Sequence, residues 1–547
     1  MKVIFANPAC RRPLGNGMER YMMGAGIRFP WSMLKPETER PRFSLFPMFL
    51  GYAAALAEDA GFDVLAIDGV ALNLVEDEQV GHIIGQRPDV VVMQPNALMI
   101  DDVARMLETI KAETSATIIL VGEHVTAETI DTFDRCSAVD HAVMAEFEYG
   151  LLALLEALRD GNPAREVKGV ATRIDGILVP ADEIAEAVED LDALPRPARH
   201  LFPAWFDTDM ATYHDGFNQL EPAYDMHATR GCPYRCNFCL WVQVLYDDGR
   251  HRRRDVDDVI DEMIELRDNY GAKEIYFDDD NFTAHRGFVK EFCAAMKRRN
   301  VDMKWSVLAD AIALNDGLLE IMADAGCIGV KFGLDSADAE VLRATDKPLK
   351  VSNIEPLVDA ARRCGVKTHM TVVVGLSGET KESLERTFQF ACSLDIDSIQ
   401  ISMATPIPGT RFYEEVKADG SLVLESWDQL DGYSTAVLSY DGLSQKELET
   451  FMSGVQGRWL RARLRHPLWV ARQMKYLVRL GTATGVPGMY QRVRRGIQVA
   501  RGDTQIIYGL GQDSAPQNSD ADEDAVSVVS GLTIRSKKDD DSRVLRL

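Results

Sequence analysis

Two successive runs of short apolar segments, each followed by a helical pattern, restrict this 547-residue chain to a parallel α/β architecture. Near-continuous apolar strands separated by helices imply a parallel sheet that helices cover on both faces. Five such units predict a doubly wound domain over residues 1–160, with ligands bound beyond the carboxyl ends of the strands. Its strand candidates are VIFAN (3–7), DVLAID (63–68), DVVVMQP (89–95), TIILVG (117–122) and DHAVM (140–144).

A second run of the same kind begins at residue 221 and predicts a partial (β/α)6 barrel that extends to residue 430. The active sites of parallel barrels lie at the carboxyl ends of the strands. The strand candidates are AYDMHAT (223–229), EIYFDD (274–279), MKWSVLA (303–309), GVKFGLD (329–335), KTHMTVVVG (367–375) and SIQISMATP (398–406). Helical patterns separate them at 255–270, 286–299, 315–326, 351–364 and 379–394. The Pro-rich segment between the two runs, residues 161–220, is predicted to be a connector.

Charge is unevenly distributed over the rest of the chain. The net charge of −25 argues against a general nucleic-acid binder. Residues 450–502 nevertheless contain eleven Lys or Arg and no Asp or Glu, within a region, 431–510, that is predicted to be helical. Residues 511–547 are polar, carry the acidic runs DADED and DDD, and are predicted to be a disordered tail.

The cysteine content and the first residues favour a cytoplasmic location. No run of 18 apolar residues is present, so no membrane span is expected. The first residues, MKVIFANP, resemble a β-strand rather than a signal peptide. Nine scattered cysteines do not form a disulfide framework, and a reducing compartment is therefore expected.

Three of the cysteines are clustered in the segment ATRGCPYRCNFCLW, at positions 232, 236 and 239. The cluster follows the first predicted barrel strand, where a barrel places its chemistry. Thiolates bind soft metals, and a closed zinc site would require a fourth Cys or His with its own local spacing. A [4Fe–4S] cluster held by three cysteines instead leaves one iron free for a small molecule. A zinc knuckle is the alternative.

The spacing C-x3-C-x2-C, with an aromatic residue before the last cysteine, resembles the signature of the radical S-adenosylmethionine (SAM) superfamily. Cys232, Cys236, Phe238 and Cys239 match it. The resemblance implies that SAM chelates the free iron and that an electron from the cluster cleaves it, releasing a 5′-deoxyadenosyl radical. The three cysteines are then the metal ligands and the catalytic centre.

Further motifs of the second run resemble the same superfamily. The segment YFDDDNFT resembles its strand-two acidic motif, and Asp279 is the candidate for contact with the site. The segment FGLDSAD resembles the strand-four motif, in which Asp335 and Ser336 would hold the methionine and ribose parts of SAM. The segment VVVGLSGET resembles the strand-five Gly-rich motif beside the adenine, with Gly375 at the close approach.

The first run, seen as a flavodoxin-like domain ahead of such a barrel, resembles the cobalamin-dependent branch of the superfamily. The segment LVGEHVTAE resembles the motif GGxHxTA, which surrounds the nucleotide tail of cobalamin. The loop ANPACRRPLG has no histidine, so the resemblance implies a lower cobalt ligand that is absent or not histidine. The cofactor-binding candidates of this domain are Gln94, Gly122, Glu123, His124 and Thr126. A nucleotide-side role is favoured for His124 over cobalt ligation.

The resemblance implies methyl transfer to an unactivated carbon of a small-molecule or lipid substrate, with cobalamin carrying the methyl group. An electron donor such as flavodoxin or ferredoxin is the expected partner. A cyclase or rearrangement enzyme similar to the porphyrin cyclases and a non-catalytic Fe–S or B12 sensor are the alternatives.

Three interpretations of the basic stretch 458–501 stay open. It is a solvated helical face covering the barrel, an interfacial helix at the inner membrane surface, or a lid over an anionic substrate.

Overall fold

The computed structural model describes most of the first 474 residues. The described part is 1–474 without 16, 25, 27–31, 42–43, 186, 203–212, 215 and 247–248, together with two short strands at 533–534 and 545–546. Within this part, no helix is long and apolar enough to cross a membrane.

The alternation predicted for the first 160 residues is present. The strands are β1 (Lys2–Asn7), β2 (Arg11–Pro13), β3 (Met18–Met22), β4 (Ser32–Pro36), β5 (Asp63–Asp68), β6 (Val90–Met93), β7 (Thr117–Val121), β8 (His141–Val143), β9 (Val170–Ile174) and β10 (Ile177–Val179). The helices are α1 (Met48–Asp59), α2 (Glu76–Gly85), α3 (Ile100–Glu113), α4 (Glu123–Ala127), α5 (Thr129–Arg135) and α6 (Glu148–Asp160).

The five predicted strands form the parallel centre of one sheet, in the order β5–β1–β6–β7–β8. This is the doubly wound order with one topological switch point, beside β1. The α/β class predicted from the sequence is therefore confirmed.

The sheet extends beyond the predicted boundary at residue 160. The strands β9 and β10 add to its edge in antiparallel register, so part of the predicted connector belongs to the first domain. Asp175 and Gly176 join them, both with positive φ, at 50° and 80°. The pair Asp-Gly between apolar residues is a strong hairpin signal that the sequence analysis did not use.

A second unpredicted feature is the three-stranded meander β2–β3–β4 that follows β1. Its first strand, β2, lies within ANPACRRPLG, which was predicted to be a loop, and no prediction covered β3 and β4. Arg20 on β3 pairs with Asp431, and Arg12 on β2 pairs with Asp428 at 3.4 Å. The meander therefore connects the first domain to the segment that follows the barrel.

The second run forms a six-stranded parallel sheet in the order β11–β14–β15–β16–β17–β18. The barrel strands are β11 (Ala223–Met226), β14 (Glu274–Phe277), β15 (Lys304–Ala309), β16 (Cys327–Asp335), β17 (Lys367–Val374) and β18 (Ser398–Met403). A two-stranded antiparallel ribbon, β12 (Thr229–Arg230) and β13 (Arg252–Arg253), follows the first of them. The strands β11 and β18 lie at the two ends of this order and are not paired with each other. The partial (β/α)6 barrel stays a prediction.

Helices cover the outside of this sheet. They are α7 (Val256–Tyr270), α8 (Arg286–Arg298), α9 (Asp316–Asp324), α10 (Ala339–Ala344), α11 (Ile354–Arg363), α12 (Lys381–Ser393), α13 (Arg411–Ala418) and α14 (Gln445–Arg463). Helix α7 begins where the Asp255 carboxylate accepts two backbone amides and ends at Gly271, which has a left-handed φ of 70°. These are ordinary N-cap and C-cap signals, which explains why the sequence located this helix closely.

The C-terminal region departs in part from its predicted helical form. Residues 431–444 form turns and short bridges, and helix α14 begins only at Gln445. Residues 467–474 are again helical. In the predicted disordered tail, Thr533–Ile534 pairs with Leu545–Arg546, and the rest of 475–547 lies outside the described residues.

Candidate active site at the facing edges of the two sheets

The three cysteines lie on one long loop whose two ends are the strands of the ribbon β12–β13. All three predicted ligands are partly buried: Cys232, Cys236 and Cys239. Phe238 packs against the main apolar core. Gln243, in the π-helical turn Trp241–Leu245, donates its side-chain amide to the carbonyl oxygens of Cys236 and Cys239 at 3.2 and 2.8 Å. These bonds brace the loop backbone and do not involve the sulfur atoms.

The acidic motif after β14 holds the first part of this loop. Asp279 is buried, and its Oδ1 accepts two consecutive backbone amides ahead of the loop at 2.8 and 2.9 Å. Asp280 accepts the amide of Gly231 at 2.7 Å, and Asn281 Nδ2 donates to Cys232 Sγ at 3.6 Å. The motif therefore positions the loop, and Asn281 is a site residue that the sequence analysis missed.

The three cysteine side chains are close enough to affect one another's pKa. Burial raises the pKa of Cys232 and of Cys236 to about 12, and the charge of Cys239 acts in the same direction on both. Lys347 opposes this shift of the Cys236 pKa. Across the described ranges, no group of three His, Cys, Asp or Glu side chains has the geometry to hold a metal ion. Metal ligation by the three cysteines therefore stays a prediction.

Asp335 lies at the end of β16, where the register with β17 shifts between Gly333 and Asp335. A bulge of this kind re-aims a side chain, and Asp335 has a left-handed φ of 60°. Its carboxylate forms an ion pair with Lys347, whose Nζ also donates to the carbonyl oxygen of Gly333 at 2.8 Å. A fixed pair of opposite charges thus lies beside Cys236.

Lys347 was not among the predicted site residues. Lys347 lies just after the short helix α10, twelve residues beyond Asp335. Only the fold of the segment that contains this helix brings Lys347 next to Asp335. The local sequence ATDKPLK carries no signal for such a role, because a lysine in a turn is ordinarily solvated.

Two other predicted SAM contacts already have partners within the protein. Ser336 is fully buried, and its hydroxyl lies 3.2 Å from the Thr387 hydroxyl. Gly375 donates its amide to Glu379 and accepts a hydrogen bond from the Tyr440 hydroxyl at 3.0 Å. Both residues therefore shape the strand ends of the barrel, and their contact with SAM stays a prediction.

At the carboxyl edge of the first sheet, two predicted residues, Glu123 and His124, line a small cavity, and the other predicted residues of this domain lie close to it. Gln94 donates to Glu123 at 3.0 Å, and burial raises the Glu123 pKa above its usual range. Burial lowers the pKa of His124 to about 4, so this imidazole is neutral at physiological pH. The cavity is lined by Asn96, Ala97, Glu123, His124, Ala127, Leu240, Ile407 and Pro408.

Several buried polar atoms at this edge have no hydrogen-bond partner among the described residues. They are Gln94 Oε1, Asn96 Nδ2 and His124 Nε2. An unsatisfied buried polar group costs about 1–3 kcal/mol, so three at one edge point to a polar ligand that would supply the partners.

Thr126 and Gly122 play supporting parts at the same edge. The Thr126 hydroxyl donates to the Gly122 carbonyl at 2.6 Å and accepts the Ala145 amide at 2.8 Å. Gly122 has a φ of 96°, and a Cβ there would lie 2.7 Å from the Gln94 side chain. A side chain at position 122 is therefore excluded by both conformation and space, whereas the predicted nucleotide contact of Thr126 stays untested.

Residues from outside the first domain close this cavity. Leu240, which follows Cys239, lines it together with residues that follow the last barrel strand. Trp427 lies over His124 in a T-shaped contact, with ring centroids 6.0 Å apart. Trp241 stacks on Phe49 at 5.8 Å and belongs to the apolar core of the first domain. The cysteine loop and the cavity of the first domain are thus direct neighbours.

Comparison with known proteins agrees with the sequence analysis. Residues 226–391 match the model of the radical SAM superfamily, which confirms the predicted radical SAM domain. Cytidylyl-2-hydroxyethylphosphonate methyltransferase of Streptomyces wedmorensis is 26% identical over 483 residues, 76% of this chain and 89% of the relative. A Pyrococcus horikoshii protein, named an uncharacterized methyltransferase, is 29% identical over 385 residues, 70% of this chain and 80% of the relative.

The fold is also similar to that of OxsB, a cobalamin-dependent S-adenosylmethionine radical enzyme solved with aqua-cobalamin and S-adenosylmethionine bound. The TM-score is 0.64 at 14% identity, and the match covers 96% of this chain and 75% of OxsB. This likeness shows that the two chains share a fold.

Proposed function

We propose that this chain, which carries a radical SAM domain at residues 226–391, is a cobalamin-dependent methyltransferase that acts on an unactivated carbon. One observation carries the proposal. Leu240, adjacent to the last cysteine of the cluster motif, lines the same cavity as Glu123 and His124 of the first domain. A [4Fe–4S] cluster and a corrin bound at these two places would face one another across a common space.

The residues present carry the chemistry that these groups need. The cysteine loop offers three thiols that would hold the cluster, and the Asp335–Lys347 pair offers an anion and a cation to the ammonium and carboxylate groups of SAM. The edge of the first sheet offers unpartnered amide and imidazole groups for the polar periphery of cobalamin. When bound, the cluster supplies the electron that cleaves SAM, and the corrin supplies the methyl group.

The protein's own contribution is to position these groups and to exclude water. Lys347 and Asp335 would orient SAM beside the cysteine loop, and Asn281 donates to the sulfur of Cys232. Trp427 and the residues after the barrel cover the cavity, which limits the access of competing hydrogen donors. The electron would come from a flavodoxin- or ferredoxin-type donor, and the substrate would be a small molecule or a lipid.

The proposal is tested by anaerobic reconstitution with iron, sulfide and hydroxocobalamin, followed by incubation with SAM, a reductant and cell extract. We expect 5′-deoxyadenosine, and a product heavier than its precursor by one CH2 group. A product without this mass gain would favour cyclisation or rearrangement. Protein that binds both cofactors but releases no 5′-deoxyadenosine would favour a sensor and contradict the proposal.

The cobalamin site predicts a specific effect of His124→Phe. The phenyl ring is an aromatic side chain somewhat larger than imidazole, and it lacks the hydrogen-bonding nitrogen, which contributes about 0.5–1.5 kcal/mol in a neutral pair. We expect cobalamin affinity to fall about 3- to 10-fold while iron content is unchanged. Equilibrium dialysis with hydroxocobalamin measures this, and His82→Phe in helix α2 is the matched control. Equal affinity in both variants would exclude His124 from the site.

The basic C-terminal stretch supports peripheral contact with an anionic bilayer. Three of its cations serve the barrel instead, because Arg458 pairs with Glu385 while Arg463 and Arg472 pair with Asp395. Beside them, however, three large apolar side chains are more than half exposed, namely Leu464, Leu468 and Met474. Exposed apolar residues among cations are typical of interfacial helices.

This contact predicts the vesicle binding of a double variant. Leu464→Glu/Leu468→Glu should reduce co-sedimentation with phosphatidylglycerol vesicles several-fold, because it places acids against an anionic apolar interface. Ile177→Glu, at an exposed position of the first sheet, is the control and should leave binding unchanged. Wild-type protein that binds neither phosphatidylglycerol nor phosphatidylcholine vesicles would contradict the membrane proposal.

A further inference from the structure

A cluster of buried charges joins the first domain to the base of the cysteine loop. Arg230 and Arg252 lie opposite each other on the two strands of the ribbon β12–β13. Arg252 donates to both carboxylate oxygens of Glu146, at 2.5 and 3.0 Å. Arg230 donates to Glu146 at 3.1 Å, and its other terminal nitrogen lies 2.7 Å from a Glu148 oxygen. We call these four residues the clamp.

The clamp is almost completely removed from solvent. The side chains of Glu146 and Glu148 are 0% exposed, and those of Arg230 and Arg252 are 2% and 5% exposed. The guanidinium of Arg230 lies over two rings of helix α1, with its central carbon 4.8 and 5.1 Å from the ring centroids. Arg230 is therefore held both by the two carboxylates and by two aromatic rings.

Adhesion alone does not explain such a cluster. Burying a charge costs several kcal/mol, and apolar residues of similar size often hold two surfaces together equally well. Paired arginines on a carboxylate differ from apolar contacts in one respect, because they fix distance and orientation together. Arg252 makes a two-point contact with Glu146 and also donates to the Val188 carbonyl at 2.5 Å.

The two partners of the clamp belong to the two halves of the proposed active site. The loop closed by the ribbon carries all three cysteines. Glu146 and Glu148 follow β8, which is the neighbour of β7, and β7 leads directly into Glu123 and His124. The clamp thus connects the loop that carries the three cysteines to the strand that neighbours β7, and through β7 to the cavity of the first domain.

We infer that the clamp is a positioning device that sets the separation and orientation of the iron–sulfur cluster relative to the corrin. This inference rests on the proposed function. Arg230 and Arg252 act through the loop and touch neither cofactor. A loosened clamp would leave each cofactor bound in its own half of the site but would place them at variable separations.

The test compares Arg252→Met with wild type in the fully reconstituted holoenzyme. Both proteins are reduced to hold the cluster and cobalamin in their paramagnetic forms, and electron paramagnetic resonance measures the magnetic interaction between the two centres. We expect wild type to give one defined interaction. In Arg252→Met we expect that interaction to weaken several-fold or to broaden into a distribution, with iron and cobalt contents unchanged.

Two further variants separate positioning from general damage. Arg173→Met removes a first-domain arginine that donates to four backbone carbonyls away from the clamp, and it should keep the wild-type interaction. Arg252→Lys keeps the charge and should restore part of the interaction. If Arg252→Met instead loses iron or cobalt, Glu146→Gln is used, because it keeps the carbonyl acceptor and the volume.

The inference fails if Arg252→Met or Glu146→Gln retains both cofactors and the wild-type magnetic interaction. It also fails if Arg173→Met weakens the interaction as much as the clamp variants do. Failure of the proposed function is a separate result, because it is measured in wild type alone, as a lack of cofactor binding or of 5′-deoxyadenosine release.

Discussion

Replacing Cys236 by alanine is expected to abolish the reductive cleavage of SAM. Two thiolates cannot hold a cubane that requires three, and without the cluster no electron reaches the sulfonium. We expect iron content and the visible charge-transfer absorbance of the reconstituted protein to collapse, and 5′-deoxyadenosine to fall to background. Chromatography of reaction mixtures after reduction by dithionite measures this loss.

Cys364→Ala is the matched control for that experiment. Cys364 ends helix α11, on the outside of the barrel, and is likewise a partly buried free thiol. It should keep full iron content and full SAM cleavage. A functional cluster in Cys236→Ala would show that the cysteine loop does not hold it. Anaerobically purified wild-type protein that contains zinc and no iron would contradict the cluster as well.

Replacing Lys347 by methionine is expected to produce the second largest loss. The change leaves Asp335 without its cation and removes the positive charge that would receive the SAM carboxylate. A hydrogen bond to a charged group contributes about 1.5–3 kcal/mol, so the apparent affinity for SAM should fall about 10- to 100-fold. Titration of SAM against 5′-deoxyadenosine formation measures the change as a rise in KM.

Lys350→Met is the control, because Lys350 is exposed three residues further along the same turn. Its KM for SAM should match that of wild type. The double variant Asp335→Asn/Lys347→Met separates binding from stability, since it removes both charges and leaves neither one unpaired. If this variant recovered the wild-type KM, Lys347 would serve only to neutralise Asp335 and would not contact SAM.

Much of the fold could be predicted because its signals are local. The buried strands of the first sheet are near-continuous apolar runs, and β5 has the bounds that the sequence predicted. Helices α7 and α12 begin directly after their N-cap residues, Asp255 and Thr380. Propensity, periodicity and caps act within a few residues of one another, so a single sequence contains them.

The parts that were missed depend on context. The strands β2, β3 and β4 are short and partly exposed, so their pattern did not differ from that of a loop. The turn Asp175–Gly176 was a usable signal for the hairpin that extends the sheet, and the Pro-rich composition nearby obscured it. Residues 431–444 carry no helical periodicity of their own, and they form turns and short bridges.

The sequence by itself determined the class of chemistry, because the spacing of three cysteines after a barrel strand is a local pattern. Only the tertiary structure decided which other residues support it. Lys347 pairs with Asp335, and Arg252 donates to Glu146, which lies 106 positions away in the chain. Both contacts form because the fold places separate elements side by side. Burial favours the pairing of these charges, because an unpaired charge that is removed from water is costly. Burial depends on the whole folded chain and cannot be read from a short segment.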